Sequence, residues 1–308
     1  MLRRDLPLAL VGLALSPYSG AQTNAQRGPL FWLAQRGRSR VYLLGFADAK
    51  ADERAWFTTS IRHAFHESSE LWEETAPRED SQNQDEVKRR ATAERLVQLG
   101  HQESGHTLFD DLEPPLRERT LAYMAELGIK REAIEAFRPW RAYYAINAAY
   151  RAQHKESHEE DEYADEVLRR MAISQGRTMG YELPNQEASV EFMASMPQKA
   201  QVEYLAWLLD YFDERKTSGV QTDFEWQVGR PNSSALDSMR SKYPQLYQYI
   251  QVQRNVWWAK KIDQLLSANN TYFVLVGQLH VLGPDGIPEQ LQRLGVVRAS
   301  QLHEDPTV

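Results

Sequence analysis

The chain contains no cysteine in its 308 residues. That absence excludes a disulfide framework, thiolate catalysis and lipid attachment through a cysteine, so stability must come from core packing. Basic charge is also short: 36 Lys and Arg stand against 43 Asp and Glu, leaving a net charge of −7. No basic stripe offers the electrostatic footprint that a phosphate backbone requires, which argues against nucleic acid as a partner. Neither a glycine-rich phosphate loop nor a Gly-x-Ser-x-Gly elbow is present, so nucleotide cradling and serine nucleophilic chemistry lack a sequence basis. Downstream of the N-terminal segment, no apolar run is long enough for a membrane span, which needs about 20 residues.

What is present supports a real core. Aromatic residues are costly to leave in water in the numbers found here, 8 Trp, 14 Tyr and 10 Phe. The N-terminus, MLRRDLPLALVGLALSPYSGAQ, pairs Arg3 and Arg4 with the apolar stretch Leu6–Leu15 and then small residues including Ser19 and Ala21. This is the pattern of a cleaved secretory signal over 1–21. The folded domain is then expected over 22–308, in the periplasm or outside the cell, with no membrane span left after cleavage.

Strand signals lie at both ends of that domain. LFWLAQ and RVYLLG come early with GRSR as a hairpin turn between them, and TYFVLVG comes late. Shorter candidates are SELWEET at 69–75 and RTMGYEL at 177–183. Tyr42–Leu44 and Tyr272–Val276 are nearly continuous apolar runs, as expected for strands covered on both faces. The middle reads as helical. LEPPLRERTLAYMAELG carries proline at its start and glycine at its end, QVEYLAWLLDYFDERKTSG repeats the apolar spacing, and a third helix runs through YPQLYQYIQVQRNVWWAKKIDQLLS. Polar stretches near 78–90, 154–162 and 216–236 read as solvated loops or helix ends. The fold class is therefore a single mixed α/β domain, its central sheet built from both ends of the chain and packed by a large helical middle.

Two segments match each other. In YLLGFAD and FVLVGQLH an apolar strand ends at glycine, and a candidate ligand stands three residues later, Asp48 in one and His280 in the other. Glycine lets the backbone turn sharply there, so both side chains can reach the carboxyl edge of the sheet, where ligand sites usually lie. Taken alone, Asp48 also reads as a turn or cap aspartate and His280 as a hydrogen-bonded structural histidine.

Beyond these residues, VYLLGFAD, SSELWEET, FRPW, GRTMGYELPNQE, QRNVWWAKKI and TYFVLVGQLHVLGPDGIPEQLQRLGVV together resemble the TraB/GumN family over nearly all of the mature chain. Members of that family carry two Gly-x-x-His motifs and include metal-dependent peptidases related to the Wnt-cleaving Tiki proteins. The resemblance implies His280 as the second motif histidine, with Glu74 and Glu182 as the family glutamates. Asp48 occupies the position of the first histidine, and Phe46-Ala47 replace the usual Thr and Ile or Met. The implied site has Asp48, Glu74 and His280 as metal ligands and Glu74, Glu182 and Arg254 in catalytic roles. Mn²⁺ or Co²⁺ is favoured over Zn²⁺, and the substrate is a peptide or protein. The alternative is a catalytically degenerate relative, without metal, acting as a binding or structural protein of the cell envelope. Its carboxylates would then pair with Arg138, Arg141 or Arg254.

Glu73 and Glu74 are adjacent, and on a strand only one can point inward; the resemblance selects Glu74. Arg254-Asn255 reads either as a substrate-orienting pair or as local helix pairing. Pro139-Trp140 marks a helix start with a core anchor, and Asp285 reads as turn chemistry. His63 and His66 in HAFHE fit no zincin order, and His154 and His158 in HKESHEEDE have metal-capable spacing on what reads as a solvated charged face.

Overall fold

The computed structural model describes residues 28–47, 56–77, 86–154, 163–218, 226, 229, 233–296 and 299–302. Strands β1 (Phe31–Arg36) and β2 (Ser39–Phe46) pair as an antiparallel hairpin with Arg36 opposite Ser39. Gly37, at φ 57°, supplies the left-handed position that this two-residue loop requires. Helix α1 (Thr59–Glu67) comes next, capped where Thr58 Oγ1 accepts the Ile61 N–H, and leads to β3 (Glu70–Thr75).

The helical middle comprises α2 (Glu86–Gly100), α3 (Pro114–Glu126), α4 (Arg131–Ile134), α5 (Pro139–Gln153) and α6 (Ala164–Ser174). Strand β4 (Thr178–Leu183) interrupts it before α7 (Gln186–Ala194), α8 (Gln198–Ser218) and α9 (Ser234–Lys242). A long helical segment then begins as α10 (Pro244–Leu246), widens into a π-helix over Tyr247–Gln253 and continues as α11 (Arg254–Leu265). Strand β5 (Thr271–Gly277), α12 (Ile287–Arg293) and the short β6 (Ala299–Gln301) complete it.

The sheet order is β4-β3-β5-β2-β1-β6. β5 lies between β2 and β3, parallel to both, and β3 pairs in parallel with β4. Early and late strands are thus neighbours, as the apolar runs required, and Phe46 is the register partner of Gly277. The carboxyl ends of these four parallel strands share one edge, and that edge carries the candidate site.

Side chains alternate along a strand, so each of the two central strands feeds two cores. Val41, Leu43, Val274 and Val276 join the large core with α5, α8 and α11, whereas Tyr42, Leu44, Phe273 and Leu275 join the smaller core with α1 and α6. Both faces are covered, so no polar alternation appears in the sequence. Trp140 anchors the start of α5 at 1 % exposure, as its position after Pro139 indicates.

Two of the polar stretches hold helix ends, and one expected helix departs from α geometry. The polar stretch near 78–90 is helical from Glu86; a solvated helix held partly by pairs such as Arg90–Glu94, 2.8 Å apart, carries no apolar stripe to announce it. The stretch 216–236, read as a solvated loop or helix end, holds the end of α8 at Ser218 and the start of α9 at Ser234. The helix expected over 243–267 runs from Pro244 to Leu265, and its second segment is a π-helix.

Candidate functional site at the carboxyl edge of the sheet

Three parallel strands and one helix deliver the site. Glu74 is the penultimate residue of β3, Glu182 that of β4, and His280 sits in a short helical turn (Gln278–Val281) directly after β5. Arg254 and Asn255 open α11, immediately after the π-helix. Single π-turns are rare and cluster at functional sites, because the extra residue rotates the next side chains onto a new face.

Arg254 is 3 % exposed and bridges both carboxylates. Its Nε donates to Glu182 Oε1 at 2.9 Å, and its Nη2 donates to Glu182 Oε2 at 2.6 Å and to Glu74 Oε2 at 3.1 Å. Trp258, one helical turn on, donates its indole N–H to Glu182 Oε2 at 2.9 Å. The Gly277 N–H donates to Glu74 Oε1 at 2.6 Å.

His280 is held from its other nitrogen. The Asn255 amide donates from Nδ2 to the Asp285 carbonyl at 2.7 Å, which turns its Oδ1 toward His280 Nδ1, 2.6 Å away. Nδ1 therefore carries the proton, and the Nε2 lone pair accepts from Arg254 Nη1 at 3.4 Å, with Glu74 Oε1 3.6 Å away. Fixing one ring nitrogen so that the other is available is how proteins orient metal-binding histidines.

The protonation states are set by burial and one shared charge. Burial and then the Arg254 charge hold the His280 imidazole down at about 4, against the pull of Glu74, so the ring is neutral near pH 7. Burial alone would raise Glu74, but Arg254, His280 and the Gly277 N–H outweigh it and hold its carboxyl at about 2. Glu182 goes the other way: burial, reinforced by the Glu74 charge, pushes its carboxyl up despite the bonds from Arg254 and Trp258. Burial disfavours the Arg254 charge, yet Glu182 and Glu74 more than reverse that and raise its pKa. One guanidinium thus serves two carboxylates unequally.

The structure brings together Glu74, Glu182, Arg254 and His280. Asp48 lies outside the described residues; β2 carries the chain to Phe46, beside Gly277, two positions before it. Of the arginines named as carboxylate partners, only Arg254 reaches the site. Arg138 Nη1 instead donates to the Leu99 carbonyl, and the Arg141 guanidinium lies over the Phe137 ring, 3.9 Å from its centroid. Glu73 points away from Glu74 but is buried too, in the opposite core, where Arg169 Nε donates to it at 2.9 Å. His63 and His66 are exposed on α1, His154 stacks on Tyr150 at 4.1 Å, and His158 lies outside the described residues.

The donor chemistry fits a divalent cation in part. A neutral imidazole nitrogen lies beside an ionised carboxylate oxygen, a nitrogen and oxygen pair of the kind Mn²⁺ and Co²⁺ accept. Among the described residues, no group of three or more His, Cys, Asp or Glu side chains is placed to hold a metal. Glu74 and His280 supply two donors, and Asp48 is the third that the family resemblance implies.

Sequence reasoning missed Trp258 and the π-helix. The first had a signal, since Arg254 and Trp258 are four residues apart and share a helix face. The second did not, because a π-turn has no distinctive residue pattern here. Among the described residues, no helix is long and apolar enough to cross a membrane.

No curated protein and no solved structure matches the chain. The model of the TraB/PrgY/gumN family matches residues 30–298, a span that includes every strand of the parallel sheet and all four clustered side chains. The chain belongs to the TraB/PrgY/gumN family.

Proposed function

We propose that the protein is an exported, divalent-metal-dependent hydrolase acting on peptide bonds, with Asp48, Glu74 and His280 as ligands and Mn²⁺ or Co²⁺ preferred over Zn²⁺. One observation carries the reading: His280 is buried, neutral and held by Asn255, with its Nε2 3.6 Å from the ionised Glu74 and its lone pair taken by Arg254 Nη1, the bond an incoming ion replaces. When bound, the ion polarises the scissile carbonyl and acidifies a water. Hydrolysis joins the water oxygen to the carbonyl carbon, breaks the C–N bond and sends a proton to the leaving nitrogen. Glu182, whose carboxyl is pushed up, is the group suited to take and return that proton. Arg254 orients the carboxylates and, on releasing one of them, can face a substrate oxygen. Export and a periplasmic or secreted location rest on the pattern of residues 1–21.

A second reading is favoured by the Arg254 bridge. Both oxygens of Glu182 and both of Glu74 accept hydrogen bonds within the protein, which is the arrangement a purely structural network requires. A metal-free envelope protein that kept the scaffold would show the same cluster.

Elemental analysis of protein purified without chelator, beside a peptidase assay with EDTA and with added Mn²⁺, separates the two. The hydrolase holds metal, cleaves peptide in an EDTA-sensitive manner and loses both properties in His280→Ala. A metal-free wild type that is indifferent to EDTA and to added Mn²⁺ establishes the structural reading instead.

A further inference from the structure

A small cavity adjoins the carboxylate cluster and shares Arg254 with it. It measures about 30 Å³, with Leu183, Phe192, Met193 and Ile250 as its apolar walls and Thr75, Tyr144, Ser189 and Arg254 as its polar lining. Leu183 comes directly after Glu182 and is the register partner of Thr75, which comes directly after Glu74 and lines the same space. The cavity therefore lies one residue beyond both glutamates along the strands. Phe192 ties it to the site, because the Arg254 guanidinium lies over its ring, 5.7 Å from the centroid.

Two of its polar groups are engaged within the protein. Arg254 serves Glu74 and Glu182, and the Ser189 hydroxyl donates to the Asn185 carbonyl at 3.2 Å. The size is restrictive: the space holds roughly two waters' worth of volume, about a fifth of a cavity that admits benzene.

We propose that this cavity is the subsite for a small aliphatic side chain, of the alanine to valine class, next to the peptide bond presented to Glu74 and Glu182. The proposal rests on the peptidase reading for its purpose, and on the cavity alone for its existence. Walls of leucine, phenylalanine, methionine and isoleucine reward burial of a methyl or isopropyl group, and the volume turns away leucine and aromatic side chains. Phe192 and Met193, both from α7, are the wall residues whose size bears most directly on this limit.

The test uses the full chain with isotope-labelled methionine methyl groups, the Met193 resonance being identified by Met193→Leu. N-acetyl-alanine methylamide and N-acetyl-valine methylamide should shift the Met193 methyl, and N-acetyl-phenylalanine methylamide should not. Phe192→Ala should admit the phenylalanine compound. In a peptidase assay the same variant should relax the preference for small residues by about tenfold or more, the scale at which pockets discriminate by a few methylenes.

No Met193 response to any of the three compounds up to their solubility, or an equal response to all of them, overturns the subsite. A Met193 response without metal-dependent cleavage leaves the subsite standing and removes the peptidase. Cleavage that is blind to Phe192→Ala, with no Met193 response, does the reverse.

Discussion

Glu73 and Glu74 are consecutive residues, both buried, and each is held by a different arginine on a different face of the sheet: Glu73 by Arg169 in the smaller core, Glu74 by Arg254 in the larger. Alternation along β3 puts two like charges back to back with a strand between them. Their substitutions should therefore separate stability from function. Glu73→Ala is expected to cost ~3–5 kcal/mol in urea unfolding, as removal of one partner of a buried pair does, while leaving metal content at the wild-type level. Glu74→Ala is expected to abolish metal retention as well. Equal metal loss in both variants would sink the division of roles.

The Arg254 bridge predicts non-additivity. Arg254→Ala strands two buried carboxylates and is expected to destabilise the chain by ~3–5 kcal/mol. Combining Arg254→Met with Glu74→Gln and Glu182→Gln removes the charges together and should restore part of that loss, a coupling readable in a mutant cycle. If the triple variant is less stable than Arg254→Ala, the three side chains do not act as one network.

Acid should weaken the fold through two groups in successive windows. His280 has its pKa lowered from 6.5 to about 4, so the unfolded chain takes up a proton first as pH falls; its contribution is present above 6.5 and is lost between 6.5 and about 4. Glu74, lowered from 4.5 to about 2, contributes above 4.5 and loses that contribution between 4.5 and about 2. Urea titrations across this range should show the upper slope flattened in His280→Gln and the lower slope flattened in Glu74→Gln. Unchanged slopes in both variants would show that neither group is linked to folding.

Gly180 tests the packing of the edge strand. A methyl group added there would enter the ring of Trp72, which lies across β4 and has the Lys261 ammonium over it, 4.0 Å from the ring centroid. Gly180→Ala is expected to destabilise by about 1–3 kcal/mol, the usual cost of overpacking, with a red-shifted Trp fluorescence as the indole gives way. A neutral outcome by both measurements would mean that the Trp72 ring is not held in place.

The parallel sheet was legible because its cause is local. Continuous runs such as Tyr272–Val276 fit strands with both faces covered, and Gly277 marks where β5 stops, whereas β2 runs one residue past Gly45. Helices with proline starts were legible for the same reason, through punctuation that acts within one turn. The helix over 86–90 was not, since a solvated, ion-paired surface carries no apolar period. Glu74 could be chosen over Glu73 only by family resemblance, because alternation says that two neighbours face opposite ways without saying which core holds the site.

The sequence by itself determined the central strands, the proline-started helices and the kinds of side chain available at the end of each strand. Those are matters of backbone conformation and apolar periodicity, which act over a few residues. Only the tertiary structure decided that Arg254 reaches Glu74 and Glu182, 180 and 72 positions away, and that Asn255 sets the proton on His280. Such contacts depend on how α11 is rotated against the sheet, and that rotation is fixed by packing of the whole core and by the π-turn before Arg254, which no local pattern encodes.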